Sequence, residues 1–476
     1  MVYYRVKYGR KVVFSMLTSR KALADRLGGI SITNWCLWSA ALFTFLGMAF
    51  GPFGSYLFEE LMIIPCVVFL YTCLSRPVSS GAKKALGLSL VMMAWFLFLQ
   101  ILRDLAYFEV YPFGTYFCSY FFAFPLACLL QDGEKKQALK LFAAAFIAAS
   151  LCHTLAALLL LLDLIPAYFA QHHVLWTSAR LNVFWHPNMA ACFHMFGIAS
   201  CIAFLQDAKK GWHKLALLAV SLIILATMAL TNCRTVIILV GGILGGAAFY
   251  SIIRGRWKLA PIALVSACII LLLTYYSCGI LYKTNSDTLY ARYLAESIEE
   301  PSSQESPAHL APNIDSAQKS LAEDMSTFNS RTDIWYASYR ALTKNPLYPI
   351  IGVDNPGRHM SHFYSVYQTH THNSWVETML GLGVPGFVIA MIFTLLTLWN
   401  GIVILLKYPL DVWKRTTAML TLCMLVASFM EPYLFLPPID YYIYNFIFLL
   451  CAGYLVHWQE EDNRKFLSAV RKFLHI

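Results

Sequence analysis

Charge is scarce in this chain of 476 residues. Only 13% of its positions are Asp, Glu, Lys or Arg, about half the ~25% of an ordinary soluble protein. Mean hydropathy is +0.58 and 59% of residues are hydrophobic. A soluble globular protein is excluded, and a polytopic membrane protein is expected. Catalytic signatures are missing as well. There is no Walker loop, no GxGxxG, no HExxH and no GxSxG, the runs that mark phosphate cradles, dinucleotide sites, zinc proteases and serine hydrolases. The 13 cysteines form no CxxC pair. All lie in or beside apolar segments, and none falls between Gly279 and His372. No disulfide framework is written here, and small apolar packing residues are the expected role. Residues 1–30 are basic and polar, without the apolar core of a cleavable signal peptide.

What is present is a series of apolar runs. A bilayer-crossing helix needs roughly 20 residues. Runs of that order lie near 33–50, 57–75, 85–102, 112–130, 140–162, 183–205, 213–231, 234–252, 259–279, 386–406, 415–431 and 440–456, which predicts about 12 transmembrane helices in an all-α fold. The net charge of +10 does not point to nucleic acid, because its distribution explains it. Basic residues crowd the N-terminal segment, alternate short loops and the C-terminal tail, 26 in all. The opposite short loops hold three, and the long segment 280–372 holds seven. Such a split follows the positive-inside rule. It predicts cytoplasmic termini, a basic arm over 1–32, nine spans over 33–279, an extracytoplasmic loop domain over 280–373, a short surface helix and three spans over 374–456, and a cytoplasmic tail from 457 to 476.

Against that rule, the three outer short-loop cations each need a reason. They are Arg103, Arg180 and Arg234. Arg180 leads into Arg180-Leu-Asn-Val-Phe-Trp-His186-Pro187-Asn188, where Pro187 opens a spanning helix whose N-terminus faces outward and favours anions. Plain interfacial anchoring of this aromatic stretch is the alternative. Arg234 sits in the tight turn Thr231-Asn232-Cys233-Arg234-Thr235 at the membrane boundary, where a charge is costly and marks function; snorkelling to headgroups is the bland reading. In the long loop, Asn329 or Ser330 caps a helix running to about Lys344. That puts Arg331 in its first turn, where the helix dipole disfavours a cation unless an anion is nearby.

The chain is organised around His370-Thr-His372-Asn373-Ser-Trp-Val-Glu377-Thr-Met-Leu-Gly381-Leu-Gly383-Val-Pro-Gly386. Asn373 and Ser374 are good N-caps. A short helix follows over 375–382. Gly383, Pro385 and Gly386 interrupt it, and Pro385 opens a spanning helix to about Lys407. A histidine is thus pinned at the membrane surface, where it can exchange a proton near neutral pH. His370-x-His372 with His359 and His362 could be read as a metal site, but two loop histidines one residue apart are weak grounds, and no metal and no cofactor is expected. The stronger grouping is three arginines, Arg180, Arg234 and Arg331, able to hold a diphosphate, with His372 as general base.

These residues carry a resemblance. His372-Asn373, nine residues, then Gly383-x-x-Gly386 is similar to the His-[Asn/Ser/Gln]-x9-Gly-x-x-Gly pattern of the bacterial O-antigen ligases and related O-antigen polymerases. Arg331 with Trp335 resembles their Arg-x-x-x-Trp, Arg234 their Ser-Arg turn (with Cys233 in place of the usual serine), and Arg180 with Pro187-Asn188-x-x-Ala191 their Arg…Pro-Asn-x-x-Ala stretch. The likeness spans roughly Leu181 to Leu434. It implies a GT-C-like membrane glycosyltransferase that moves a glycan from undecaprenyl diphosphate to a lipid-linked or lipid A–core acceptor on the outer face of the cytoplasmic membrane. Its reaction would be metal-independent and inverting. It further implies catalytic roles for His372, Arg331 and Arg234, and substrate contacts from Arg180, Asn188, His370, Asn373 and Trp335. The rival reading is a lipid-linked oligosaccharide transporter, which would place its charges near the midplane in repeated halves.

Overall fold

The computed structural model describes residues 32–51, 80–107, 123–130, 132–162, 174–177, 180–183, 186–231, 233–253, 331–353, 356–363, 370–436 and 442–456, with a few single positions between them. The basic arm, the tail, most of the expected spans at 57–75 and 259–279, and the loop from 280 to 330 lie outside the described residues.

The described chain is helical apart from one hairpin. Before that hairpin come α1 (Ile32–Ala49), α2 (Ser80–Tyr107), α3 (Phe124–Leu129) and α4 (Asp132–Leu161). In the hairpin, β1 (Val174–Thr177) pairs antiparallel with β2 (Arg180–Val183), Thr177 opposite Arg180. There follow α5 (Pro187–Asp207), α6 (Gly211–Leu230), α7 (Arg234–Ile253), α8 (Arg331–Thr343), α9 (Tyr348–Ile351), α10 (Pro356–Met360), α11 (Ser374–Lys407), α12 (Val412–Ala427) and α13 (Tyr442–Leu455). Four stretches are long and apolar enough to cross a membrane: Gly133–Leu159 in α4, all of α5, all of α6 and all of α11. Shorter apolar stretches lie in α2, α7 and α13.

Hydrophobicity on all sides buries a helix among others, and α5 is the case here. Met189 to Ser200 is buried without a gap. The helix packs on α4, α6, α7 and α12. At 21 residues and about 1.5 Å per residue it is roughly 30 Å long, enough for the hydrocarbon layer. His186 caps its start by accepting from the Asn188 N–H, and Pro187 takes the first turn, where no N–H is needed. His153 is fully buried beside α5, with Nε2 2.8 Å from the Met48 carbonyl oxygen.

The expected break in the His-motif helix is a kink inside α11 at Gly383, whose φ is +67°. Pro385 supplies no N–H to the helix ladder. The Leu382 carbonyl at the kink is met instead by the Trp95 indole N–H of α2, at 2.9 Å. The bend leaves a notch into which the α9 corner fits. The Val353 N–H donates to the Leu380 carbonyl at 2.7 Å. Gly352, with φ +70°, backs onto Gly381. Ile334, Leu342, Val353 and Met360 close over Leu380 as a small separate core. The loop domain is therefore docked on the first three turns of α11, which fixes α8 over the His motif.

Two glycines meet back to back in this joint. A Cβ on Gly383 would lie 2.2 Å from the Ile350 carbonyl oxygen, and one on Gly352 would lie 2.5 Å from that of Gly381. Both positions also need positive φ, which L-residues adopt at a cost of roughly 1–3 kcal/mol. Gly383→Ala and Gly352→Ala should each lower the midpoint of thermal unfolding in detergent by several degrees and reduce activity with it. Wild-type melting in both variants would show that the docked joint is not needed.

Candidate functional site

The site forms where the start of α11, the end of α12 and the start of α5 meet under α8. One short connection makes this possible. Helices α11 and α12 are antiparallel neighbours joined by residues 408–411, so the residues after α12 return to the His motif. They are stitched to it. The Ser374 N–H donates to the Ser428 carbonyl (2.8 Å), and Asn373 Nδ2 donates to the Phe429 carbonyl (3.1 Å). Ser374 Oγ donates to the Glu431 carbonyl (2.9 Å) and accepts from the Leu434 N–H (3.0 Å). Tyr433 is buried, its hydroxyl against the Asn188 carbonyl and its ring stacked on Tyr444.

His372 has φ +53°, an uncommon conformation for a residue with a side chain, and one that recurs at functional sites. Its neighbours hold it there. Asn373 Oδ1 accepts from the N–H groups of Trp375 and Val376, capping α11. The Thr371 N–H donates to Glu377 Oε2 at 2.8 Å, and the Thr371 carbonyl accepts from the Trp335 indole at 3.0 Å. The His372 N–H reaches His370 Nδ1 at 3.3 Å, and the two rings meet edge to face, 4.2 Å between centroids.

At the centre stands Glu431, 4% exposed. Its Oε2 lies 3.3 Å from His372 Nδ1. Its Oε1 lies 3.1 Å from Arg331 Nη2 and accepts from Asn188 Nδ2 at 2.5 Å. Arg331 Nη1 also touches the Met430 sulfur; the rest of its donor fork has no partner among the described residues. His372 Nε2 likewise has none there, and the His372 side chain is 25% exposed. The arrangement holds an imidazole with its outer nitrogen open, beside a guanidinium with donors to spare. It can accept a proton and hold an anion at neighbouring points.

Of the expected residues, His372, Arg331 and Asn188 thus converge on one carboxylate. His370, Trp335 and Asn373 support the His372 turn rather than open onto a cavity: His370 is 9% exposed, and the Asn373 amide and the Trp335 indole are both committed to backbone groups. Arg234 is the first residue of α7, and Arg180 the first of β2; their side chains lie outside the described residues. The residue before Arg234, Cys233, is buried in the same apolar cluster as Cys192 and Tyr433, and α7 packs on α5. His359 stands against Tyr348, 6.4 Å from the His362 ring, and no group of three or more metal-ligating side chains occurs among the described residues. Glu431 itself was not legible as a site residue. The available signal was a carboxylate at the edge of an apolar span, in Met430-Glu431-Pro432, where a charge calls for a reason.

Two titrations follow from burial and charge here. Burial alone would raise the Glu431 carboxyl. The hydrogen bond and charge of His372, with the charge of Arg331, outweigh it and hold Glu431 below its ordinary value. Burial pushes His370 down to about 3, helped by neighbouring His372. A carboxylate with a depressed value contributes stability above its unfolded value, near 4.5, and loses it as pH falls through the folded one. A buried neutral histidine refuses a proton that the unfolded chain takes up below about 6.5, so stability falls from there down to about 3. The melting temperature should therefore decline on acidification from about pH 6.5, with Glu431 adding to the loss below about 4.5. His370→Asn should flatten the upper part of that decline. Equal slopes in the variant and the wild type between pH 6.5 and 4.5 would refute the assignment.

A family model described as O-antigen ligase matches residues 218–391 of the chain. No curated protein matches it. The matched stretch begins in α6 and ends within α11, and it contains Arg234, Arg331, His372 and the Gly383-x-x-Gly386 kink. Arg180, Asn188 and Glu431 lie outside it. The resemblance read from the His motif is borne out: residues 218–391, in a chain with helices long and apolar enough to cross a membrane, are similar to the O-antigen ligase family.

Proposed function

We propose that this protein is an integral-membrane, GT-C-like glycosyltransferase with 12 spans and cytoplasmic termini. It moves a glycan from undecaprenyl diphosphate to an acceptor sugar, lipid-linked or on lipid A–core, at the outer face of a bacterial cytoplasmic membrane. The observation that carries the reading is the meeting of His372 and Arg331, 41 positions apart in sequence, on opposite oxygens of Glu431. A base and a phosphate-type donor are thereby presented side by side at the membrane end of α11.

In the proposed reaction His372 Nε2 takes the proton from the acceptor hydroxyl. The acceptor oxygen attacks the anomeric carbon, and the bond from that carbon to the diphosphate oxygen breaks on the opposite side, inverting the linkage. Undecaprenyl diphosphate departs with the charge of the broken bond. Arg331, with Arg234 at the start of α7, stabilises that charge, and Arg180 contributes to holding the donor. The chemistry is a proton transfer and a displacement, and it calls for no metal. The transport reading asks instead for cations around a midplane cavity. It gains nothing from a histidine held at the end of the bundle.

Purified protein in detergent, given an undecaprenyl-diphosphate glycan and a panel of acceptors with EDTA present, should transfer sugar. His372→Ala should reduce the rate by roughly 10²–10⁴-fold, the usual contribution of a positioned base, and Arg331→Ala should raise the donor KM and lower kcat together. The acceptor that is used separates ligase from polymerase. Full activity in His372→Ala removes that residue as the base, and transfer abolished by EDTA removes metal independence.

A further inference from the structure

The three side chains that converge on Glu431 share one property. Asn188 Nδ2 and Arg331 Nη2 are donors in any state, and His372 Nδ1 is a donor once its proton is placed there. Two oxygens receive three donors. Only an ionised carboxylate accepts at both of its atoms; an amide in the same place would turn a donor towards one of its partners. The group is also sealed. Glu431 is 4% exposed, and its own backbone carbonyl is fixed by Ser374. A buried carboxylate is retained only when it is paired and hydrogen-bonded, and this one is fully used. The ionisable groups around it are His372 and His370 on the turn before α11, Arg331 on α8, Tyr433 on its own loop and Cys192 on α5.

We infer that Glu431 is the positioning residue of the transfer reaction: it orients the His372 imidazole through Oε2 and parks the Arg331 guanidinium through Oε1. The inference rests on the glycosyltransferase reading given above. Its two halves have different consequences. Towards His372, the carboxylate fixes the proton on Nδ1, which leaves Nε2 as the acceptor for the sugar hydroxyl, and it balances the imidazolium once that proton has moved. Second-site carboxylates of this kind set both tautomer and orientation. Towards Arg331, the carboxylate is an internal anion in competition with the donor diphosphate. Glu431 therefore favours turnover while opposing donor binding. Replacing it gives a split that loss of a merely structural contact does not give.

The test is Glu431→Gln in the full-length protein, compared with the wild type and Glu431→Asp. Initial rates are measured against donor concentration, and the histidine tautomer is read by ¹⁵N NMR of histidine-labelled protein in micelles. In Glu431→Gln, kcat should fall by roughly 10²-fold, the lower end of what general-base catalysis contributes, while the donor KM stays level or drops. Glu431→Asp keeps the charge on a shorter arm and should recover part of kcat. In the wild type at neutral pH, His372 should carry its proton on Nδ1; in Glu431→Gln, the Nε2 tautomer should gain. A wild-type kcat in Glu431→Gln overturns the inference, and so does a raised donor KM with kcat unchanged. If that variant does not fold, the wild-type tautomer decides, and a proton resident on Nε2 overturns it. Absence of any transfer by the wild type overturns the glycosyltransferase reading separately, with the tautomer measurement still deciding the role of Glu431.

Discussion

Three donors held against one buried carboxylate form the interaction on which the site depends. Glu431 has no other means of staying charged where it is. An unpaired carboxylate in a low-dielectric setting would neutralise itself or disrupt the packing, and removing a single partner from a buried pair is strongly destabilising. Each partner comes from a different part of the chain: Asn188 from the start of α5, Arg331 from the start of α8, His372 from the turn before α11. The carboxylate therefore draws the buried helix α5, the helix α8 and the His motif to one point.

Reaching that point asks for unusual backbone in two places, and both are near the motif. His372 is left-handed, and Gly383 breaks the helix about three turns later. The first aims the imidazole at Glu431. The second makes the notch in which Gly352 and Val353 dock, and with them α8 and Arg331. The spacing between His372 and Gly383 thus has a mechanical meaning. It is the length of helix needed to carry the 331–353 segment while keeping α8 above the histidine. Trp95 and Ser374 supply the hydrogen bonds that the break and the turn require.

Much of this was legible from the residues. The caps at Asn373, the interruption at Gly383 and the helix opening at Arg331 are local events governed by side-chain hydrogen bonding and glycine conformation, and short windows of sequence contain them. The membrane character followed from the scarcity of charge. The hairpin at 174–183 was not legible, because an aromatic stretch at an interface reads equally well as a belt. Glu431 escaped for a different reason. An arginine in an outer loop stands out because it violates the positive-inside rule, whereas that rule says little about acids. Nor does sequence proximity help, because Glu431 lies 59 positions from His372 and 100 from Arg331. Only the antiparallel return of α12 brings it back.

The charge balance of the cluster accounts for the remaining outer arginines. Arg331 and Glu431 cancel, so this pair has little net charge to offer a diphosphate. A donor bringing negative charge to such a place needs further cations, or else Arg331 must leave the carboxylate. The chain carries two such cations at this end, Arg180 opening β2 and Arg234 opening α7. Cys233, just before α7, shares a buried apolar cluster with Cys192 of α5 and Tyr433. Their division of labour follows from electrostatics. On the proposed reading, the paired arginine senses the donor by exchanging one anion for another, and Arg180 and Arg234 bring the further positive charge. Such an exchange keeps a charge within reach of His372 in both states, which lets one imidazole stay oriented before the donor arrives and after the proton has moved.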